Sequence, residues 1–160
     1  MFWGCFSGME KGPCVFWEKT WGKITSESYC EHVLPVVVNW IRAQHDLTGR
    51  SLSFMQDNAP SHKAIGSLNF LHTHNIEPIF WPAFSPDLNP IEAVWSLMKN
   101  YIQGHYPDFE RGSQRPINEV RVIIQEAWES ITSQQLLRLM ESMPRRCQAV
   151  VEAHGGPIPY

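Results

Sequence analysis

Two aromatic and β-branched runs open the chain, "MFWGCFS" and "GPCVFWEK", with the polar "GMEK" between them. A Gly-bearing polar break between two such runs predicts a β-hairpin. From residue 27 the period of apolar positions changes. Tyr29, Val33, Val37 and Ile41 recur at helical spacing in "ESYCEHVLPVVVNWIRAQH", with Thr25 or Ser26 as the N-cap. Pro35 lies inside that pattern and predicts a kink or a restart, because its ring clashes with the preceding turn and it has no N–H to donate. "SLSFMQD" then reads as a short apolar strand, and "SHKAIGSLNFLHTHN" as a helix with Ile65, Leu68 and Leu71 on its buried face. "IEPIFWP" is another short strand, ended by Trp81-Pro82. The loop "AFSPDLN" leads into the helix "PIEAVWSLMKNYI", whose apolar stripe is Ile91, Val94, Trp95, Met98 and Ile102.

Residues 104–116, "GHYPDFERGSQRP", are polar and rich in Pro and Gly, a loop. Helices follow in "INEVRVIIQEAWESI" and from Thr132, where T-S-Q-Q matches a capping box. Pro144 interrupts the second of these. "RRCQAVVEAHGG" carries a last helical stretch that Gly155-Gly156 can stop. The order β-β-α-β-α-β-α plus helices is mixed α/β, with no internal repeat. At 160 residues the chain is one domain's worth of material. The expected organisation is one domain over 1–160, with sheet and site in 1–103, the loop at 104–116 and C-terminal helices in 117–160.

Composition narrows the functional classes. A hydrophobic content of 43% and seven Trp argue for a packed globule. The net charge of −3 gives no global positive field, which counts against a free-standing nucleic-acid-binding module. It leaves room for an enzyme that grips DNA through metal ions and a partner domain. The cysteines, Cys5, Cys14, Cys30 and Cys147, contain no C-x-x-C pair, so a zinc site is not supported. Cys5 and Cys14 can face each other across the hairpin and read as small buried thiols in a reducing compartment. No apolar run reaches the roughly 18–20 residues that span a membrane. "MFWGCFSGMEKG" lacks the basic start and long apolar core of a signal peptide. The expected setting is intracellular, neither secreted nor membrane-bound.

The candidate chemistry sits at two strand-to-helix junctions. In "RSLSFMQDNAPSHKA" the apolar segment ends on Asp57, and in "SPDLNPIEAVW" Asn89 is a plausible N-cap, Pro90 sits at N1 and Glu92 at N3. Judged singly, each acid has a structural use. Asp57 can start a turn, Glu92 can close an N-P-I-E capping box, and Asp87 can hold the turn after Ser85-Pro86. Judged together, Asp57 at the carboxyl end of one strand and Glu92 in the first turn after the next open onto one edge of an α/β sheet. Two carboxylates meeting there repel unless a cation lies between them. Hard oxygen donors without a Cys or His cluster point to Mg²⁺ or Mn²⁺. Paired divalent ions are the usual clamp for in-line displacement at a phosphodiester.

"FMQDNAPSHKA", "WPAFSPDLNPIEAVWSLMK", the opening "FWGCFSGMEKGP" and the closing "SMPRRCQAVVEAHGGPIPY" resemble the catalytic domain of Tc/mariner-type DDE transposases. The resemblance runs over nearly the whole chain. The 34 residues between Asp57 and Glu92 match the spacing of that family's Glu-ending branch. It implies a ribonuclease H-like mixed sheet flanked by helices, with extra C-terminal helices. It also implies metal-dependent hydrolysis at transposon ends followed by strand transfer into target DNA, with Mg²⁺ or Mn²⁺ and no small-molecule cofactor. Asp57 resembles the family's second catalytic acid and Glu92 its third. DNA (transposon ends and target) is the implied partner, a homodimer the implied assembly, and the nucleus the implied location in a eukaryote. The first acid of the family lies on a strand preceding "FWGCFS". The expectation is therefore a chain truncated at its N-terminus, without that acid, the first central strand or the helix-turn-helix DNA-reading region. Its sheet would be split or mispaired, and its activity alone weak or absent.

Other residues carry lesser expectations. Asn58, His62 and Asn89 flank the acids and can hold them in place. Lys99, two helical turns after Glu92, and Arg145 and Arg146 can meet DNA phosphates. The rival reading is a non-catalytic, transposon-derived protein that keeps the α/β scaffold for association or nucleic-acid contact.

Overall fold

The predicted hairpin forms from Phe2–Ser7 (β1) and Glu10–Phe16 (β2). Gly8 takes φ 58° in the connecting turn, the left-handed conformation that a tight hairpin turn favours at its first central position. The open end is closed by Trp17 N–H donating to Met1 O at 2.9 Å, and the Phe2 and Phe16 rings lie 5.1 Å apart. The computed structural model describes residues 1–109 and 115–159. These divide into two compact units, one combining Met1–Cys5 with Gly12–Ser85, the other Phe6–Lys11 with the chain from Pro86 onward. The division falls at Ser85/Pro86 and within the hairpin; of the stretch 104–116 read as a loop, residues 110–114 lie outside the described residues.

In the first unit, the helical stretch restarts as expected near Pro35, forming α1 (Ser26–His32) and α2 (Leu34–Thr48). The break falls at Val33, and Pro35 stands in the first turn of α2, where its missing N–H is tolerated. Thr25 caps α1 reciprocally with Ser28. Helices α3 (Pro60–Lys63) and α4 (Ile65–Thr73) replace one expected helix. Ala64 turns extended between them, and buried Ser67 donates to the Ser61 carbonyl at 2.5 Å. A side-chain hydroxyl thus satisfies a carbonyl that a continuous helix would bond itself. The break carries Ile65 out to 74% exposure, against the buried position its spacing predicted, while Leu71 is fully buried. Tyr29, Val33, Leu34, Val37, Val38, Leu71, Phe54 and Ile76 form the core of this unit.

The two short strands predicted over 51–57 and 76–82 do not form a ladder. They meet at one parallel bridge between Phe54 and Pro78, with Ile79 N–H donating to Phe54 O at 2.8 Å. Pro78 has no N–H to give, so hydrogen bonding cannot propagate through it. Among the described residues strand pairing occurs in two places, the hairpin and this bridge.

The second unit is helical: α5 (Pro90–His105), α6 (Ile117–Glu129), α7 (Ser133–Glu141) and α8 (Met143–Glu152). Thr132 and Gln135 form the capping box read from T-S-Q-Q, and the break between α7 and α8 falls at Ser142, just before Pro144. Val94, Met98, Ile123, Ala127, Trp128 and Leu136 are buried here; of the stripe expected of α5, Val94 and Met98 are buried and Ile91, Trp95 and Ile102 are half-buried. The hairpin tip belongs to this unit: Lys11 Nζ donates to Trp128 O and Glu129 O at 3.2 and 2.8 Å, placing a cation at the carbonyls that end α6. No helix among the described residues is long and apolar enough to cross a membrane.

Candidate metal centre

Asp57 follows the segment that carries the Phe54 bridge and precedes Pro60 at the start of α3. Its Oδ1 accepts from Ala59 N–H at 3.0 Å and from His62 Nδ1 at 2.6 Å. An ionised carboxylate only accepts, so the shared proton sits on Nδ1 of His62. Oδ2 has no hydrogen-bond partner among the described residues, and the Asp57 side chain is 54% exposed. One oxygen is therefore clamped and the other free.

Behind the acid lies a second set of contacts. Gln56 Nε2 donates to the His62 carbonyl at 3.1 Å, and Gln56 Oε1 accepts from Tyr29 OH at 3.0 Å. The Tyr29 ring lies 4.5 Å from the His62 ring. Burial above all, and then the charge of Asp57, pushes the Tyr29 hydroxyl well above its ordinary value, so it remains a donor. His62 thus bonds Asp57 directly. Asn58 does not: its Nδ2 donates to Trp81 O at 2.8 Å, tying the turn after Asp57 to the 78–82 segment.

Glu92 belongs to the second unit, at N3 of α5. Asn89 caps that helix, its side chain accepting from Ile91 N–H at 3.3 Å, but the Glu92 carboxylate does not return to Asn89 N–H. The capping box readable in N-P-I-E is therefore only half made. Glu92 is exposed, and its carboxylate has no hydrogen bond or ion pair among the described residues. Asn89 is buried and serves the cap, not the acid.

Asp87 is the acid that the second unit uses structurally. Its Oδ1 accepts from Leu88 N–H at 3.0 Å and its Oδ2 from Ile158 N–H at 2.9 Å. Its carbonyl accepts from Arg146 Nη1 at 2.7 Å, and Arg146 Nε donates to Ser142 Oγ at 2.9 Å. Arg146 is only 5% exposed, which corrects its reading as a phosphate grip: a guanidinium packed inside the unit cannot meet an external phosphate. Arg145 and Lys99 are exposed.

The structure brings together Asp57 and His62 in the first unit, and Asn89, Asp87 and Arg146 around the start of α5 in the second. Sequence reading missed Tyr29 and Gln56, because Tyr29 shares its helical spacing with core valines and Gln56 looks like the polar end of a strand. It also missed the bond from Asp87 to Ile158, whose partners are far apart in the chain. Among the described residues no group of three or more His, Cys, Asp or Glu stands close enough to hold a metal ion alone.

Residues 18–111 match the DDE superfamily endonuclease family. The chain belongs to that family. Over its full length it is 36% identical to the Transposable element Tcb1 transposase of Caenorhabditis briggsae and 29% identical to the Tc1 transposase of Caenorhabditis elegans, covering 54% of each. The chain thus spans about half the length of the curated relatives it matches. It superposes on the Mos1 mariner transposase catalytic domain with a TM-score of 0.72 at 18% identity, covering 99% of this chain and 82% of that one. The Mos1 paired-end complex with left transposon end gives 0.78 at 19% identity, covering 99% and 44%. A further Mos1 catalytic-domain structure, with Raltegravir and Mg, matches at 0.69 and 20% identity over 86% of this chain and 66% of that one. These structures establish the ribonuclease H-like fold, and the relatives place the chain with the Tc/mariner-type DDE catalytic domains that "QDNAPSH" and "SPDLNPIE" resemble.

Proposed function

We propose that the chain is the catalytic part of a DNA transposase that cuts and joins phosphodiesters with divalent metal ions, Asp57 and Glu92 being two of the protein ligands. The observation that carries this reading is that both acids keep carboxylate oxygen that no described residue uses. Asp57 has Oδ1 clamped, its Oδ2 has no partner among the described residues, and Glu92 sits where a capping box would engage it, yet its carboxylate bonds none of the described residues.

The donor set suits Mg²⁺ or Mn²⁺. Both offer hard oxygen, and Mg²⁺ is commonly held by one or two carboxylates with water and substrate phosphate completing the shell. A cation bound there would polarise a phosphoryl oxygen and lower the pKa of a bound water. His62, donating from Nδ1 to Oδ1, holds the Asp57 carboxylate in one rotamer. DNA, as transposon ends and target, is the substrate this reading implies, with Lys99 and Arg145, both exposed, as the cations that would meet its phosphates. A homodimer and action in the compartment that holds the genome follow from the same reading.

The test is Mn²⁺ binding to the full chain, followed by the paramagnetic signal of free Mn²⁺, together with nicking of supercoiled DNA. Asp57→Ala and Glu92→Ala should each weaken Mn²⁺ binding and suppress any nicking. Binding and nicking that survive both changes would remove these residues from the mechanism.

A further inference from the structure

Tyr29, Gln56, Asp57 and His62 form a closed circuit. Tyr29 OH donates to Gln56 Oε1, Gln56 Nε2 donates to the His62 carbonyl, His62 Nδ1 donates to Asp57 Oδ1, and Asp57 is covalently next to Gln56. Each link is set by the one before it. The amide of Gln56 can face only one way, because reversing it would point Oε1 at the carbonyl oxygen of His62. That orientation leaves Oε1 as acceptor for Tyr29, which is 2% exposed and has its ring against the imidazole it helps to fix. The imidazole side chain is itself only 17% exposed, three times less than Asp57. Rigid, buried parts stand behind a carboxylate whose other oxygen has no partner among the described residues.

We propose that Tyr29 and Gln56 are positioning residues for Asp57, fixing through His62 which carboxylate oxygen is clamped and which one stays available to a divalent cation. The proposal rests on the reading of Asp57 as a metal ligand. Neither residue touches the metal, and both act by limiting the rotation of the ligand. Groups placed this way behind metal ligands typically alter affinity ten- to a hundredfold.

Two readouts on the full chain test it. In the metal-free chain, ¹⁵N spectra of the imidazole should show His62 as the fixed Nδ1–H tautomer. Tyr29→Phe and Gln56→Met should move those shifts toward the average of the two tautomers and raise the Mn²⁺ dissociation constant by about tenfold. Val37→Ala, a core change in the same unit, should lower stability while leaving tautomer and affinity unmoved, which separates positioning from a loss of folding. A folded Tyr29→Phe and a folded Gln56→Met with wild-type tautomer and wild-type Mn²⁺ affinity would overturn the proposal. Asp57→Ala reports separately: if it leaves Mn²⁺ affinity unchanged, the metal reading fails, and an unmoved tautomer signal in the two variants shows independently that the clamp fails.

Discussion

Replacing Asp87 by Ala tests the division of labour between the acids of "SPDLNPIE". The substitution removes two acceptors at once. The bond to Leu88 N–H is local and partly replaceable by water, but the bond to Ile158 N–H fastens a buried residue across 71 positions of sequence. A hydrogen bond to a charged group contributes about 1.5–3 kcal/mol, and a local one about 0.5–1.5 kcal/mol. Arg146 keeps its bond to the Asp87 carbonyl, which the substitution leaves in place. The expected loss is about 2–4 kcal/mol, which for a chain of this size lowers the midpoint of thermal unfolding by roughly 4–16 °C. Denaturant melts measure the loss, and amide exchange at Ile158 locates it: that N–H should become the most accelerated in the second unit. A loss below about 0.5 kcal/mol, the range of surface substitutions, would refute the latch. So would slow exchange at Ile158.

Other changes separate the remaining roles. Glu92→Gln should alter stability by no more than about 0.5 kcal/mol, since the carboxylate bonds none of the described residues; a larger loss in the same melts would show that it caps α5 after all. Gly12→Val should destabilise by about 1–3 kcal/mol, because even a Cβ there would lie 2.5 Å from Cys5 Sγ and 3.2 Å from the Trp40 ring; pairing it with Cys5→Ala should recover part of the loss in a double-mutant cycle. Stability should also fall above pH 9. Burial first, and then neighbouring Cys14, pushes the Cys5 thiol up to about 12 from 9.0, and the Tyr29 hydroxyl is raised from 10.0 in the same way. A raised folded value means that the native state holds the proton longer, so the contribution is complete below pH 9 and is lost as pH rises toward 12. Each group adds a slope of up to about 1.4 kcal/mol per pH unit. Denaturant melts from pH 8 to 10.5 should show the fall, and Cys5→Ala should remove its lower-pH part.

The family, the hairpin, an N-cap at Thr25 or Ser26 and the capping box at Thr132 could be read along the chain because the interactions behind them are local. A cap reaches three residues, a hairpin turn two, and an apolar stripe repeats every three or four. The two acids could be read as well, since their motifs are short and dense. What sequence alone did not decide was how each carboxylate is used. N-P-I-E is a sound capping box on paper, yet Glu92 makes no cap bond, while Asp87, an ordinary turn acid by pattern, holds Ile158. Tyr29 carries the same spacing as Val33 and Val37, and only the approach of Gln56 and His62 gives its hydroxyl a task. The segments around Phe54 and Pro78 have strand composition, but a ladder needs donors on successive residues and a neighbour on each side, which composition does not record. Arg146 looked like half of an exposed basic pair until packing buried it against Asp87. In each case the deciding partner comes from a different element of the fold, and a side chain's chemistry is set by what surrounds it, not by its place in a motif.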